Sequence, residues 1–135
     1  MTPESFIQNK AAEAIKSLYG AEVDSSSLQI QVTRKEFEGD YTLVVFPLLR
    51  ISHSSPENTG NAIGEWLKAN VSEIAGYNSV KGYLNILFSP LYWSELFSEI
   101  ASAEDFGTLP KTGKNIMVEF SSPNTNKPLH LGHIR

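Results

Sequence analysis

The sequence contains no cysteine, which excludes a disulfide framework and any thiolate metal site. No apolar run approaches the ~20 residues that a membrane span needs, so no membrane partner is expected. No basic, apolar leader opens the chain, and a cytoplasmic protein is the expectation. Positive charge is scarce in the long front part: residues 1–110 hold seven Lys/Arg against fourteen Asp/Glu. That balance lacks the basic footprint of a stand-alone nucleic-acid binder. The last 25 residues reverse the sign, with Lys111, Lys114, Lys127 and Arg135 against Glu119. What is present suits one globular domain with an ordinary core: 135 residues, 41% of them hydrophobic, without a usable internal repeat or a low-complexity tract.

The front part reads as alternating helices and hairpins. Thr2-Pro3 caps a helix in which Ile7, Ala11, Ala14, Ile15 and Leu18 recur at helical spacing, and Gly20 ends it. Leu28, Ile30 and Val32 alternate with Gln29, Gln31 and Thr33, a half-buried strand. Glu38-Gly39-Asp40 turns the chain into a second strand, "YTLVVF" (41–46), which Pro47 stops before a short helical turn over 48–51. Ser55-Pro56 opens a helix with Ala62, Ile63, Trp66 and Leu67 as its apolar stripe. "EIAGYNSV" (73–80) and "YLNILF" (83–88) are strands joined by the two-residue turn Lys81-Gly82. Ser89-Pro90 opens a third helix, with Trp93, Leu96, Phe97 and Ile100 expected to face inward. The order α-β-β-α-β-β-α predicts an α+β, two-layer domain over residues 1–103, with helices on one face of a four-stranded antiparallel sheet.

"AEDFGTLPKTGK" breaks this pattern, and 104–114 reads as a linker. "NIMVEF" (115–120) is a nearly continuous apolar run, which suits an interior parallel strand. Residues 115–135 are therefore expected to be the truncated start of a second, Rossmann-like domain: its first strand and the loop after it.

The chemistry concentrates in that last stretch. Ser121 to Pro128 is too proline-broken for helix, and a helix can begin near 129–131. His130 and His133 then share one face, one turn apart. Gly132 leaves room between them for a ligand to approach the backbone. A strand, a loop and a helix N-terminus together form a place where α/β proteins bind phosphate, and two imidazoles beside it can donate to oxygens on which charge builds. Taken alone, H-x-x-H is a weak signal. A zinc site is poor, because a third ligand is missing. His53 reads as solvated surface. In the strand at 83–88, alternation places Leu84, Ile86 and Phe88 on the core face. Tyr83 and Asn85 then stand on the open face, ~7 Å apart. Such a pair is either ordinary sheet surface or a ring to stack on a splayed-out base and an amide to read its edge.

The string "SSPNTNKPLHLGHIR" (121–135) closely resembles the first signature of class I aminoacyl-tRNA synthetases. Its Ser-Pro-Asn and its H-x-G-H followed by a hydrophobic residue and Arg resemble the arginyl-tRNA synthetase family in particular. "GDYTLVVFPL" (39–48) and "VKGYLNILFSP" (80–90) look like hallmark segments of that family's N-terminal additional domain. The resemblance implies an enzyme that joins arginine to ATP and passes it to tRNA(Arg), with Mg2+ accompanying ATP and no protein-bound metal. It implies His130 and His133 as catalytic residues. It implies an ATP site at Lys127, His130, Gly132 and His133, although Lys127 reads equally as a solvated loop lysine. Ser122, Asn124 and His133 would hold the arginine substrate. Tyr83 and Asn85 would meet the D-loop of tRNA. Gly39-Asp40-Tyr41 is a hallmark whose chemistry stays open between a packed hairpin turn and an RNA contact. The full-length enzyme is expected to be a monomer, and the 135 residues alone to be inactive. Two other classes compete: an H-x-G-H nucleotidyltransferase, whose motif usually lies near the N-terminus, and a non-catalytic RNA-binding module.

Overall fold

All three long helices begin in the same way, with a hydroxyl side chain followed by proline. In the computed structural model, which describes residues 2–119, 126, 128, 130 and 131, α1 spans Pro3–Tyr19 and the Thr2 hydroxyl accepts from the Ser5 N–H at 3.2 Å. Ser55 does the same for α3 (Pro56–Asn70), and Ser89 for α4 (Pro90–Ser102). Proline at the first helical position gives up an N–H that would have had no partner, and its fixed φ suits the helix. A short α2 (Leu49–Ser52) precedes α3, and ends on exposed His53 in a left-handed conformation.

The strands are β1 (Ile30–Val32), β2 (Tyr41–Val44), β3 (Ile74–Val80) and β4 (Tyr83–Phe88), in the antiparallel order β1-β2-β4-β3. Lys81 and Gly82 both take positive φ (48° and 84°), the conformation that a two-residue hairpin turn demands. The register sorts residues into rungs. Ile30, Leu43, Leu84 and Ser79 pair across the sheet, and so do Gln31, Thr42, Asn85 and Asn78. Directly paired residues share a face. The first rung points to the helices, where Leu43 and Leu84 are fully buried with Ile7, Ile15, Ile63 and Leu67. The second rung is polar and belongs to the opposite face. The fold is the expected α+β architecture with helices on one face.

The apolar stripe of α3 comes closer to the sheet than Ala62, Ile63, Trp66 and Leu67 imply. Gly60 and Gly64 are buried, and a Cβ on them would fall 2.2 Å from Ser79 Oγ and 2.4 Å from the Tyr77 ring. The absent side chains let the helix backbone lie against β3.

The inward face of α4 differs from expectation. Tyr92 is its buried residue, stacked on Phe88 with ring centroids 4.1 Å apart, and Leu96 packs beside it. Trp93 is 37% exposed and Phe97 71%. Ser89-Pro90 fixes where the helix starts, and the stack of Phe6, Phe88 and Tyr92 then selects position 92, leaving Trp93 at the rim, edge-on to Phe88 at 5.4 Å, and turning Phe97 outward.

The chain divides into two units, Met1–Ala103 and Glu104–Arg135. In the second, residues 115–119 form no strand and are exposed, Met117 at 98%. The expected strand is not formed there. An interior parallel strand needs hydrogen-bonding neighbours on both edges, and the described residues supply none. Among the described residues, no helix is long and apolar enough to cross a membrane.

Candidate nucleic-acid interface

Gly39-Asp40-Tyr41, the turn segment, explains how the open face of the sheet acquires a recess. The Asp40 N–H donates to the Ile86 carbonyl at 2.8 Å, and its carboxylate accepts the Phe88 N–H at 2.8 Å. These two bonds carry the β2–β4 ladder one residue further and pin the 33–40 loop to β4. Tyr41 meets Phe88 edge-on at 6.3 Å. Gly39, at φ 136°, lies so close that a Cβ there would stand 3.0 Å from the Asn85 Cβ. Only glycine takes that backbone angle with so little clearance.

The loop therefore covers part of the face that alternation alone leaves open. Tyr83 is 40% exposed, but Asn85 is only 2% exposed. The expectation that both stand on open surface is corrected at Asn85. It belongs to the outer face, and the 33–40 loop lies over it. Its Oδ1 accepts from the Thr42 hydroxyl at 2.7 Å, and the Thr42 oxygen lies 2.9 Å from that of Thr33. Its Nδ2 is buried with no partner among the described residues. A buried donor left unpaired costs about 1–3 kcal/mol, so this amide is a place where a ligand acceptor would gain.

Asn85 and Tyr83 line one recess of about 150 Å³, together with Thr42, Gln31, Arg34 and Phe37, and with Lys81 at its edge. The Tyr83 ring is braced by Phe46, edge-on at 5.7 Å and 81°. Phe46 in turn lies where a Cβ on Gly82 would be, 2.5 Å from its Cζ. Arg34 and Lys81 are exposed and have no ion-pair partner among the described residues. The recess thus combines a fixed aromatic ring, a buried amide donor and two cations, the ingredients for holding an unstacked base and its phosphate. Sequence reasoning found Tyr83 and Asn85 and missed Gln31, Arg34, Phe37 and Thr42. The strand register would have linked Gln31 and Thr42 to Asn85. Arg34 and Phe37 lie on an irregular loop that no periodicity places.

Of the residues expected to handle ATP and arginine, His130 is described and exposed. Ser122, Asn124, Lys127, Gly132 and His133 lie outside the described residues.

Fold and recess define an α+β module with a base-sized pocket on the uncovered side of its sheet. No family model matches the chain. Over 123 residues, 90% of its length, it is 51% identical to an arginine–tRNA ligase of Bacteroides thetaiotaomicron, covering 21% of that protein. Over 131 residues, 96% of its length, it is 49% identical to an arginine–tRNA ligase of Porphyromonas gingivalis, covering 22% of that protein. Among solved structures, the arginyl-tRNA synthetase of Thermus thermophilus matches 98% of this chain with a TM-score of 0.60 and 24% identity, over 21% of that chain. That likeness supports the fold. By sequence, the chain is similar to arginine–tRNA ligases over nearly its whole length, and it spans about a fifth of the length of the relatives it matches.

Proposed function

We propose that this chain is part of an arginine–tRNA ligase, in which residues 1–103 read one unpaired nucleotide of the tRNA(Arg) D-loop. Residues 104–114 serve as the linker, and residues 115–135 open the catalytic domain. The observation that carries the reading is the buried, unpartnered Asn85 amide beside the braced Tyr83 ring in a single recess. Tyr83 stacks on the base, Asn85 bonds to its edge, and Arg34 and Lys81, which line the same recess, would meet its phosphates. Recognition by one captured base is compatible with the acidic balance of residues 1–110, because other parts of the enzyme can hold the RNA backbone. The curated relatives favour the ligase over a nucleotidyltransferase or a free-standing RNA module.

The complete enzyme would join the arginine carboxylate to the α-phosphorus of ATP, releasing pyrophosphate, and then transfer arginine to the tRNA 3′ end. His130 and His133 would donate to phosphate oxygens as charge builds on them, with Gly132 allowing close approach and Lys127 adding a cation. Ser122, Asn124 and His133 would seat the amino acid. The reaction belongs to the cytoplasm, and the full-length enzyme is expected to act as a monomer.

The test is an NMR titration of the 135-residue chain with tRNA(Arg). Tyr83 and the Asn85 side-chain amide are expected to shift, and Tyr83→Ala to weaken binding by roughly tenfold or more, the value of one base–aromatic stack. Signals at both residues that stay fixed at saturating RNA would remove the D-loop role.

A further inference from the structure

An asparagine amide can read a base in two senses, with its oxygen as acceptor or its NH2 as donor. The surroundings of Asn85 choose between them. Thr33, Thr42 and Asn85 are 9%, 4% and 2% exposed, and their polar atoms form one short chain, 2.9 Å and then 2.7 Å. A hydroxyl has one hydrogen. With the Thr42 hydrogen directed to Asn85 Oδ1, the Thr33 hydroxyl donates to Thr42. Donation then runs in one direction, Thr33 to Thr42 to Asn85, and ends on an NH2 with no partner among the described residues. The β2–β4 register sets Thr42 opposite Asn85, and the Thr33 N–H is tied to the Asp40 carbonyl at 3.0 Å. Backbone pairing thus keeps the three side chains next to one another.

We propose that Thr42, backed by Thr33, is a positioning residue that locks the Asn85 carboxamide with its oxygen inward. The recess then selects a base edge that presents an acceptor, a ring nitrogen or a carbonyl oxygen, and rejects one that presents a donor at the same point. This rests on the nucleotide reading above. A valine at 42 keeps the shape but removes the hydroxyl, so the amide can turn over and bond either kind of edge. A serine keeps the hydroxyl.

The experiment uses the 135-residue chain and a hairpin RNA carrying the tRNA(Arg) D-loop. The pocket nucleotide is located as the loop position whose abasic replacement cancels the Tyr83 shift. Analogues are then placed there that lack one acceptor (ring nitrogen replaced by C–H, or a carbonyl removed) or one donor (amino group removed). In the wild type, deleting one particular acceptor is expected to weaken binding about tenfold, the effect of one hydrogen bond to a buried amide. Deleting a donor is expected to change binding less than about threefold on the same scale. Thr42→Val is expected to shrink the acceptor penalty to under about threefold while still binding RNA, and Thr42→Ser to restore it. A purely structural threonine would lower affinity for every analogue alike. Full discrimination by Thr42→Val, or failure of Thr42→Ser to restore it, overturns the relay. A wild type sensitive to donor deletion instead shows the amide turned over, which overturns the proposal and leaves the nucleotide pocket standing. If no loop position moves Tyr83, the pocket reading falls and the relay falls with it.

Discussion

Replacing Asn85 by leucine separates what the residue does for the fold from the RNA role proposed for it. Leucine has nearly the branched outline of asparagine, and the site is 2% exposed with Gly39 directly over it, so the change is close to isosteric. Removing the buried, unpartnered Nδ2 relieves about 1–3 kcal/mol of desolvation. Losing the bond from Thr42 to Oδ1 gives back about 1 kcal/mol, and the Thr42 oxygen keeps Thr33 at 2.9 Å. The sum favours Asn85→Leu by about 0–2 kcal/mol, before any added apolar burial. For a domain of this size that is a rise in Tm of up to roughly 15 °C. In urea, with a slope of about 1–3 kcal/mol per molar, it is a midpoint raised by up to roughly 1 M. The same variant is expected to lose the RNA-induced shift at Tyr83. Stability rising while recognition disappears is the signature of a residue kept for binding. A midpoint lowered by the equivalent of 1 kcal/mol or more would show that the amide already has its bonds in the free protein, and the reasoning would be refuted.

The contact of α3 with the sheet gives a second test. Gly64→Ala is expected to destabilise by up to about 2 kcal/mol, since overpacking at about 1–3 kcal/mol exceeds the helix-propensity gain of about 1. Gly60→Ala meets a rotatable Ser79 hydroxyl rather than a ring and is expected to cost less; thermal melts rank the two. On α4, Phe97→Ser, at a side chain 71% exposed, is expected to stay within about 0.5 kcal/mol of wild type. Tyr92→Ala, which breaks the Phe88 stack, is expected to lose about 3 kcal/mol or more; equal effects in urea melts would reverse the assignment of the helix face. Finally, burial raises the phenols of Tyr19, Tyr41, Tyr77 and Tyr92 above the ordinary value of 10.0, with Glu4 adding at Tyr41 and Glu65 at Tyr77. The folded state then holds protons that the unfolded chain releases, so stability is intact below pH 10.0 and falls as pH rises through the raised values. Melts across pH 9–11 check the sign, and Tyr92→Phe is expected to flatten the fall.

The elements of the fold were legible because they rest on local chemistry. Thr2-Pro3, Ser55-Pro56 and Ser89-Pro90 announce helix starts through the backbone alone, and Lys81-Gly82 announces a hairpin through its turn conformation. What failed needed contacts that no period encodes. The rim position of Trp93 and the outward turn of Phe97 follow from the Phe6–Phe88–Tyr92 stack, which joins three elements. The role of Gly60 and Gly64 in α3 has no periodic signal, because it lies in the nearness of Tyr77 and Ser79.

The recess shows the same division at the scale of a site. Alternation in 83–88 correctly put Tyr83 and Asn85 on one face, yet it could not say that one is surface and the other interior. That difference is made by Asp40, which donates one hydrogen bond to β4 and accepts another from it, and so holds Gly39 against Asn85. The turn segment thereby sets the burial of the residue proposed to read the base. Asp40→Ala tests this link. It removes a charge-assisted bond worth about 1.5–3 kcal/mol, and it is expected to free the 33–40 loop from β4. The Asn85 side-chain amide would then be more open to water, and its hydrogen exchange is expected to quicken along with that of the Phe88 N–H. If Phe88 exchange quickens while the Asn85 amide stays protected, the loop is held over Asn85 by something other than Asp40. The link drawn between the turn segment and the reading amide would then be broken.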